Sequence, residues 1–195
     1  MNTRPDSITI RLIHKETDHP YIKLYRDHLV MPDGGTLDYN RIEQNHDDPG
    51  VVVMPLRVSD GAVGLIRQYR YPINAYSKEL PRGFAQRGNA HQNAVRELKE
   101  ETGLILEAKD LIDAGNCYPD DGIMTTQIRV YIALVRQDET TEPEDANEIQ
   151  SFAWHSIKEM QQAITQNEVT DGITLATLMK ANALRYWDTL VHNPR

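Results

Sequence analysis

The chain has 195 residues, 39% of them hydrophobic and 26% charged, with a formal net charge of -8. These proportions are typical of a globular domain with a buried core, and the negative charge argues against a surface that wraps nucleic acid. The single cysteine, Cys117, excludes an intrachain disulfide and a zinc site made of cysteines. Because no apolar stretch has the length of a signal sequence or a bilayer-spanning helix, we expect a cytoplasmic protein without a membrane partner.

The N-terminal part predicts a small antiparallel β unit. Residues 7–13, 21–30 and 36–44 have strand patterns, and a turn sequence at 31–35 joins the last two. The loop at 46–50 is the best boundary in the chain. We therefore interpret residues 1–49 as an N-terminal β extension and residues 50–195 as the main domain.

The main domain begins with two predicted strands. Residues 51–58 form an apolar run typical of a buried strand, and residues 62–71 return beside it. The second strand ends in Arg67-Gln-Tyr-Arg70, in which Arg67 and Arg70 point to opposite faces. Two interpretations remain open: a half-exposed strand whose long side chains lie in water, or a strand with one arginine that binds a diphosphate.

The later segments alternate strands and helices. Strands are predicted at 111–117, 126–135 and 149–155, and a loop at 118–122 contains Asp120 and Asp121, whose role in a turn is sufficient explanation. Ser156 and Glu159 form a capping box that opens a helix ending near residue 166. Asp171 is predicted to cap the last helix. The core face expected for that helix consists of Ala176, Met179, Ala183, Trp187 and Leu190.

The most informative segment is a predicted helix at residues 91–102, which Gly103 closes. Glu97, Glu100 and Glu101 share one face of this helix, where like charges repel. The helix dipole disfavours each anion in the last turn by roughly 0.3–1 kcal/mol, and Arg96 is expected to point to another side. The cluster is either a solvated face or a site for Mg²⁺, with Mn²⁺ as an alternative ion.

The sequence Arg96-Glu-Leu-Lys-Glu-Glu-Thr-Gly-Leu104 resembles the ending of the Nudix box, with every fixed position present. Upstream, Glu79-Leu-Pro-Arg-Gly-Phe84 resembles the strand and turn that precede the box in ADP-sugar pyrophosphatases. The resemblance covers most of residues 51–185. It implies an α/β fold, the Nudix α/β/α sandwich with a mixed sheet, and the activity of a Nudix hydrolase.

The first half of the box departs from the family pattern. The step from Gly83 to Glu97 is one residue short, and Asn89 is the nearest occupant of the position of the family's early glutamate. In the family that glutamate often pairs with the box arginine, so Arg96 is expected to lack this partner. We interpret the difference as a change in loop shape that affects metal number or rate.

The resemblance also implies roles for individual residues. The implied metal ligands are Glu97, Glu100, Glu101 and the backbone carbonyl of Arg82. The implied catalytic residues are Glu97, Glu100, Glu101 and Glu148, with Glu148 or a box glutamate as the base and Glu144 as a competitor for the position of Glu148. The implied substrate ligands are Arg70, Arg67, Glu79 and Arg82.

These roles predict Mg²⁺-dependent hydrolysis of the diphosphate bond of a nucleoside diphosphate sugar. ADP-ribose, giving AMP and ribose 5-phosphate, is the leading substrate on resemblance, and GDP-mannose or another nucleotide sugar is the rival. A hypothesis of another class is a Nudix fold that senses a nucleotide sugar, or serves as a binding subunit, without hydrolysis. The resemblance further implies a homodimer formed through the N-terminal unit.

Overall fold

The structure is a computed structural model that describes residues 22–44, 49–84, 89–136 and 149–186, together with the backbone of residues 9–16. The chain divides into two compact units. One comprises residues 1–47 and 118–127, and the other comprises residues 48–117 and 128–195. Among the described residues, no helix is both long enough and apolar enough to cross a membrane.

The first unit is a three-stranded antiparallel sheet of β1 (Thr9–Glu16), β2 (Ile22–Val30) and β3 (Thr36–Gln44), in the order β1-β2-β3. Residues 118–127 join this unit through β3, because the Ile42 N–H donates to the Ile123 carbonyl (2.7 Å) and the Thr125 N–H donates to the Ile42 carbonyl (3.0 Å). The boundaries drawn from the sequence include these residues in the main domain of residues 50–195, because pairing between distant segments leaves no local pattern. Asp120 accepts a hydrogen bond from the Gly122 N–H, as expected for a turn residue.

The second unit contains a seven-stranded mixed sheet whose main path has the order β10-β5-β4-β9-β8. Strands β4 and β9 are parallel, and the remaining pairs are antiparallel. The strands are β4 (Gly50–Arg57), β5 (Val63–Arg70), β6 (Ala75–Glu79), β7 (Arg82–Gly83), β8 (Leu111–Cys117), β9 (Ile128–Val135) and β10 (Ile149–His155).

The sheet is covered by helices on both faces, because its central strand is apolar on both. Val51 and Val53 of β4 pack on the side of helix α1 (Ala90–Thr102). The alternate residues, including Val52 and Met54, pack in the cluster that contains residues of α2 (Ile157–Thr165) and α3 (Gly172–Ala183). The predicted α/β/α sandwich with a mixed sheet is confirmed.

The segment that precedes helix α1 lies where strands β4 and β5 diverge. These strands pair at Leu56 and Val63, and farther along β6 pairs with β5 while β7 pairs with β4. Strand β10 pairs along the other edge of β5, so β6 lies on the edge that faces β4. Residues 79–83 therefore pass through a split in the sheet, beneath α1.

The helix ends follow capping chemistry. Asn89 is the N-cap of α1, and its side chain accepts from the Gln92 N–H (2.9 Å) while the Gln92 side chain accepts from the Asn89 N–H. Gly103 closes α1 with φ +74°, as the sequence predicts. The position of the family's early glutamate thus serves here as a cap.

The prediction of which residues of α3 face the core is wrong. The buried residues are Thr174, Thr177, Leu178 and Ala181, whereas Met179 is 67% exposed and Ala183 is exposed. Hydrophobic patterning misses this face because two of its members are threonines, and the Thr174 hydroxyl is satisfied by hydrogen bonds. Ala176 is partly exposed, and Trp187 and Leu190 lie outside the described residues.

Candidate active site

Two of the predicted carboxylates, Glu97 and Glu101, are buried one helical turn apart against strand β7. They are 7% and 6% exposed, and Glu101 Oε2 accepts from the Arg82 N–H at 2.9 Å. A Cβ added to Gly83 would lie 2.1 Å from Glu97 Cδ. Because a real Cβ cannot approach so closely, Gly83 is what allows the Glu97 carboxylate to lie on this strand.

The Glu101 side chain is the electrostatically unusual group of the site. Burial raises the pKa of Glu101 to about 8, and the neighbouring charges of Glu97 and Glu79 add to the shift. The Arg82 N–H and the Arg70 guanidinium lower this pKa, but not enough to restore an ordinary value. A cation beside Glu101 would favour its charged form.

Glu79 is fully buried, but its charge is matched. Arg70 donates to it through two nitrogens, Nε to Oε1 at 2.8 Å and Nη2 to Oε2 at 3.0 Å. Arg82 Nη2 donates to Glu79 Oε2 at 2.7 Å. Burial lowers the pKa of Arg70, but the bonds to Glu79 and the negative charges of Glu79, Glu101 and Asp171 together outweigh it. The net shift is upward, so the guanidinium stays charged.

Arg82 connects this network to helix α3. Its Nη2 atom also lies 3.1 Å from Asp171 Oδ1. The other oxygen of Asp171, Oδ2, accepts from the Thr174 N–H and from the Thr174 hydroxyl, both at 2.8 Å. The sequence predicts Asp171 only as a helix cap; no local signal indicates its contact with Arg82.

Arg96 lies on the carboxylate side of α1, which corrects the expectation that it points elsewhere. Its Nη2 donates to Glu97 Oε1 at 2.5 Å, and its Nη1 pairs with Glu100 one turn farther along. The i,i+4 spacing brings Arg96 and Glu100 together. Arg96 therefore has carboxylate partners from within the helix itself.

The remaining predicted site residues fall outside this cluster. Arg67 lies on the opposite face of β5 from Arg70, with its guanidinium 4.1 Å from the centre of the Tyr76 ring. Glu148 and Glu144 lie outside the described residues. The structure thus brings together Glu97, Glu101, Glu79, Arg70 and Arg82, with Glu100 and Arg96 beside them.

The donor set suits a hard divalent cation in its chemistry, because Glu97 and Glu101 present buried carboxylates and Glu101 carries a raised pKa. In the described part of the chain, however, no three acidic, histidine or cysteine side chains converge as a metal centre. Arg96 forms ion pairs with both Glu97 and Glu100. Metal binding by Glu100 would therefore require Arg96 to turn away.

Comparison with known proteins identifies the family. The family model described as NUDIX domain matches residues 46–176, more than half of the chain. The chain belongs to this family. Nudix hydrolases generally use divalent metal ions.

Individual relatives are more distant. The chain is 25% identical over 156 residues to the methanol dehydrogenase activator of Bacillus methanolicus, covering 79% of this chain and 81% of that protein. It is 27% identical over 113 residues to the ADP-ribose pyrophosphatase of Bacillus subtilis, covering 57% and 58%. It is 30% identical over 110 residues to a Caenorhabditis elegans protein named as a nudix hydrolase, covering 56% and 48%.

The matched region therefore spans about half the length of two of these relatives. Among solved structures, a crystal structure titled as an ADP compounds hydrolase superposes with a TM-score of 0.75 at 17% identity. It covers 95% of this chain and 97% of its own. At this identity the likeness concerns the fold.

Proposed function

We propose that this Nudix hydrolase cleaves the diphosphate bond of a nucleoside diphosphate sugar with the help of Mg²⁺, and that ADP-ribose is converted to AMP and ribose 5-phosphate. The observation that carries the proposal is the buried pair Glu97 and Glu101, with the raised Glu101 pKa, beside the arginines of the Glu79 network. The similarity to a protein named ADP-ribose pyrophosphatase supports the choice of substrate.

The residues that would hold the cation are Glu97, Glu101, Glu100 and the carbonyl of Arg82. When bound, Mg²⁺ or Mn²⁺ supplies neutralisation of the diphosphate and a lower pKa for the attacking water. The protein meets this requirement with hard oxygen ligands on two facing elements, α1 and β7. Glu101 would release its proton on loading, because a positive neighbour favours the carboxylate.

The other residues bind and orient the substrate. Arg70 is fixed to Glu79 through Nε and Nη2, which leaves Nη1 as the atom for a non-bridging phosphate oxygen. The oxygen of water forms a bond to one phosphorus, and the bond from that phosphorus to the bridging oxygen breaks. The proton of the water passes to Glu148 or a box glutamate, and the second phosphate leaves with the bridging oxygen.

The test is a product assay with Mg²⁺ and a panel of ADP-ribose, another ADP-sugar, GDP-mannose and a nucleoside triphosphate, each separated chromatographically. We expect AMP and ribose 5-phosphate from ADP-ribose. Glu97→Gln and Glu101→Gln should each lower kcat at least about a hundredfold, because each removes a metal ligand. The matched control is Glu107→Gln, an exposed glutamate outside the cluster, which should keep wild-type activity.

The rival outcomes separate cleanly. Faster turnover of GDP-mannose would reassign the sugar while keeping the chemistry. Tight binding of a nucleotide sugar without turnover would favour the sensor or binding subunit, a role consistent with the Arg96 contacts on Glu97 and Glu100 and with a relative named as an activator of another enzyme. Retained turnover in Glu101→Gln would remove Glu101 from the mechanism.

We also propose that the enzyme works in the cytoplasm as a homodimer formed through the N-terminal unit, as the family resemblance implies. Light scattering of the full chain and of a chain lacking residues 1–47 tests the dimer, and cell fractionation tests the location. A monomeric full chain would contradict the first, and recovery in a membrane or secreted fraction would contradict the second.

A further inference from the structure

The segment from Glu79 to Arg82 is held by fixed contacts along its whole length. The Pro81 carbonyl accepts from the Val53 N–H at 2.9 Å, and the Arg82 N–H donates to Glu101. The Leu80 N–H has no strand partner of this kind and donates instead to the Thr174 hydroxyl at 3.0 Å, across 94 residues of sequence. A side chain of α3 thus replaces a ladder bond at the point where the sheet splits.

Thr174 and its cap residue Asp171, together called the α3 cap pair, act on this segment at two points. The Thr174 hydroxyl, fully buried, accepts from Leu80 and donates to Asp171 Oδ2. Asp171 Oδ1 then holds Arg82, the residue whose backbone N–H binds Glu101. Both ends of the segment Leu80–Arg82 therefore contact the start of α3.

This arrangement does more than capping requires. An N-cap carboxylate satisfies its helix with one oxygen, and here Asp171 Oδ2 alone accepts both bonds from Thr174. The second oxygen is directed to Arg82, which also contacts the fully buried Glu79. By contrast, Ser156 caps α2 together with Glu159 alone, in an exposed position away from the cluster.

We propose that Asp171 and Thr174 are positioning residues of the active site. They set the place of Arg82 and β7 against Glu97 and Glu101, so that the carboxylates and the Arg82 carbonyl meet a bound cation at the correct geometry. This inference rests on the proposed metal-dependent function. Partners behind metal ligands of this kind typically change metal affinity or activity 10–100-fold when they are removed.

Three substitutions test the α3 cap pair. Asp171→Asn keeps an oxygen for the cap but presents an amide to Arg82. Thr174→Val keeps the shape and loses both hydroxyl bonds, whereas Thr174→Ser keeps the hydroxyl. Ser156→Ala is the control, because it removes an N-cap from α2 without touching the site.

The readouts are the thermal midpoint, the Mn²⁺ dissociation constant by calorimetry without substrate, and kcat and KM for ADP-ribose. We expect Asp171→Asn and Thr174→Val to weaken Mn²⁺ binding and to lower kcat by about tenfold or more, with little change in KM. Thr174→Ser should behave as wild type, and Ser156→Ala should lower only the thermal midpoint.

The inference is overturned if Asp171→Asn and Thr174→Val lower the thermal midpoint while the Mn²⁺ constant and kcat stay within about twofold of wild type. Should Asp171→Asn not fold, the comparison of Thr174→Val with Thr174→Ser decides; failure of both disruptive variants to fold would show a purely structural role and overturn it. A wild-type protein that binds Mn²⁺ but hydrolyses no substrate contradicts only the proposed function. A wild type that binds no Mn²⁺ overturns the metal site and this inference together.

Discussion

The two sides of the carboxylate cluster handle buried charge in different ways. On the strand side, Glu79 is fully buried and is matched by the guanidinium groups of Arg70 and Arg82. On the helix side, Glu101 is almost as deeply buried, but its close partner is a neutral backbone N–H. On the strand side the carboxylate charge is therefore balanced by arginines, whereas on the helix side the pKa of Glu101 is raised to about 8.

The difference arises because the side chains of Arg70 and Arg82 pair with Glu79 and not with Glu101. A buried carboxylate without a charged partner is costly, and a protein normally supplies one. Here the guanidinium groups of Arg70 and Arg82 contact Glu79. Among the described residues, the Glu101 carboxylate has only a neutral N–H as its hydrogen-bond partner, which is the arrangement expected for a group that binds an exchangeable cation. Proteins concentrate such perturbed groups at functional sites.

The largest expected effect comes from Glu79→Gln, which removes the anion that pairs with Arg70 and Arg82 on the strand side. Removing one member of a buried ion pair leaves the guanidinium groups of Arg70 and Arg82 without their anion, and we expect a loss of about 3–5 kcal/mol in the free energy of unfolding. Urea denaturation measures it. Glu168→Gln, which breaks the exposed contact with Lys78 of the same strand, should leave the value unchanged. A small loss for Glu79→Gln would show that the network is not a stability element.

A smaller effect is expected from pushing the helix side away from the strand with Gly83→Ala. The added Cβ would collide with the Glu97 carboxylate, and a displacement of about 1 Å at a catalytic group lowers kcat on the order of a hundredfold. Gly172→Ala is the matched control, since nothing lies within 4 Å of its Cβ at the start of α3. Kinetics under saturating Mg²⁺ would contradict the geometry if both variants kept wild-type kcat.

The raised pKa of Glu101 on the helix side makes the free energy of unfolding depend on pH. The folded protein holds the Glu101 proton more tightly than the unfolded chain, whose glutamate has the ordinary pKa of 4.5. This contribution to the free energy of unfolding is therefore fully present below about pH 4.5 and is lost as the pH rises toward 8. Without metal, we expect wild type to lose about 2 kcal/mol between pH 5 and pH 7 relative to Glu101→Gln.

Denaturant melts of both proteins in chelator, repeated across this pH range, measure the difference. Added Mg²⁺ should reduce the loss, because a cation favours the ionised carboxylate. Parallel pH curves for wild type and Glu101→Gln in chelator would contradict the raised pKa. Absence of any Mg²⁺ effect would contradict the location of the cation.

Helical periodicity was enough to predict which carboxylates share the α1 face, and the glycine at the end of the helix marked where it stops. The spacing of apolar residues was less useful for predicting a helix face that buries polar residues. Thr174 and Thr177 carry part of the buried face of α3, so a search for apolar spacing selected Met179, which is exposed. The expectation that Arg96 points to another side of the helix was also wrong, because Arg96 pairs with Glu100 one turn farther along the same helix.

The sequence by itself determined the family resemblance, because a contiguous motif carries it, and that resemblance implied the mixed α/β/α architecture. It also determined that Glu97, Glu100 and Glu101 share one face, because helical periodicity is local. Only the tertiary structure decided that Glu79 absorbs the charge of two arginines, that Asp171 reaches Arg82, and that Glu101 is left with a raised pKa. These facts depend on burial and on contacts between distant segments, and neither leaves a signature in the order of the residues.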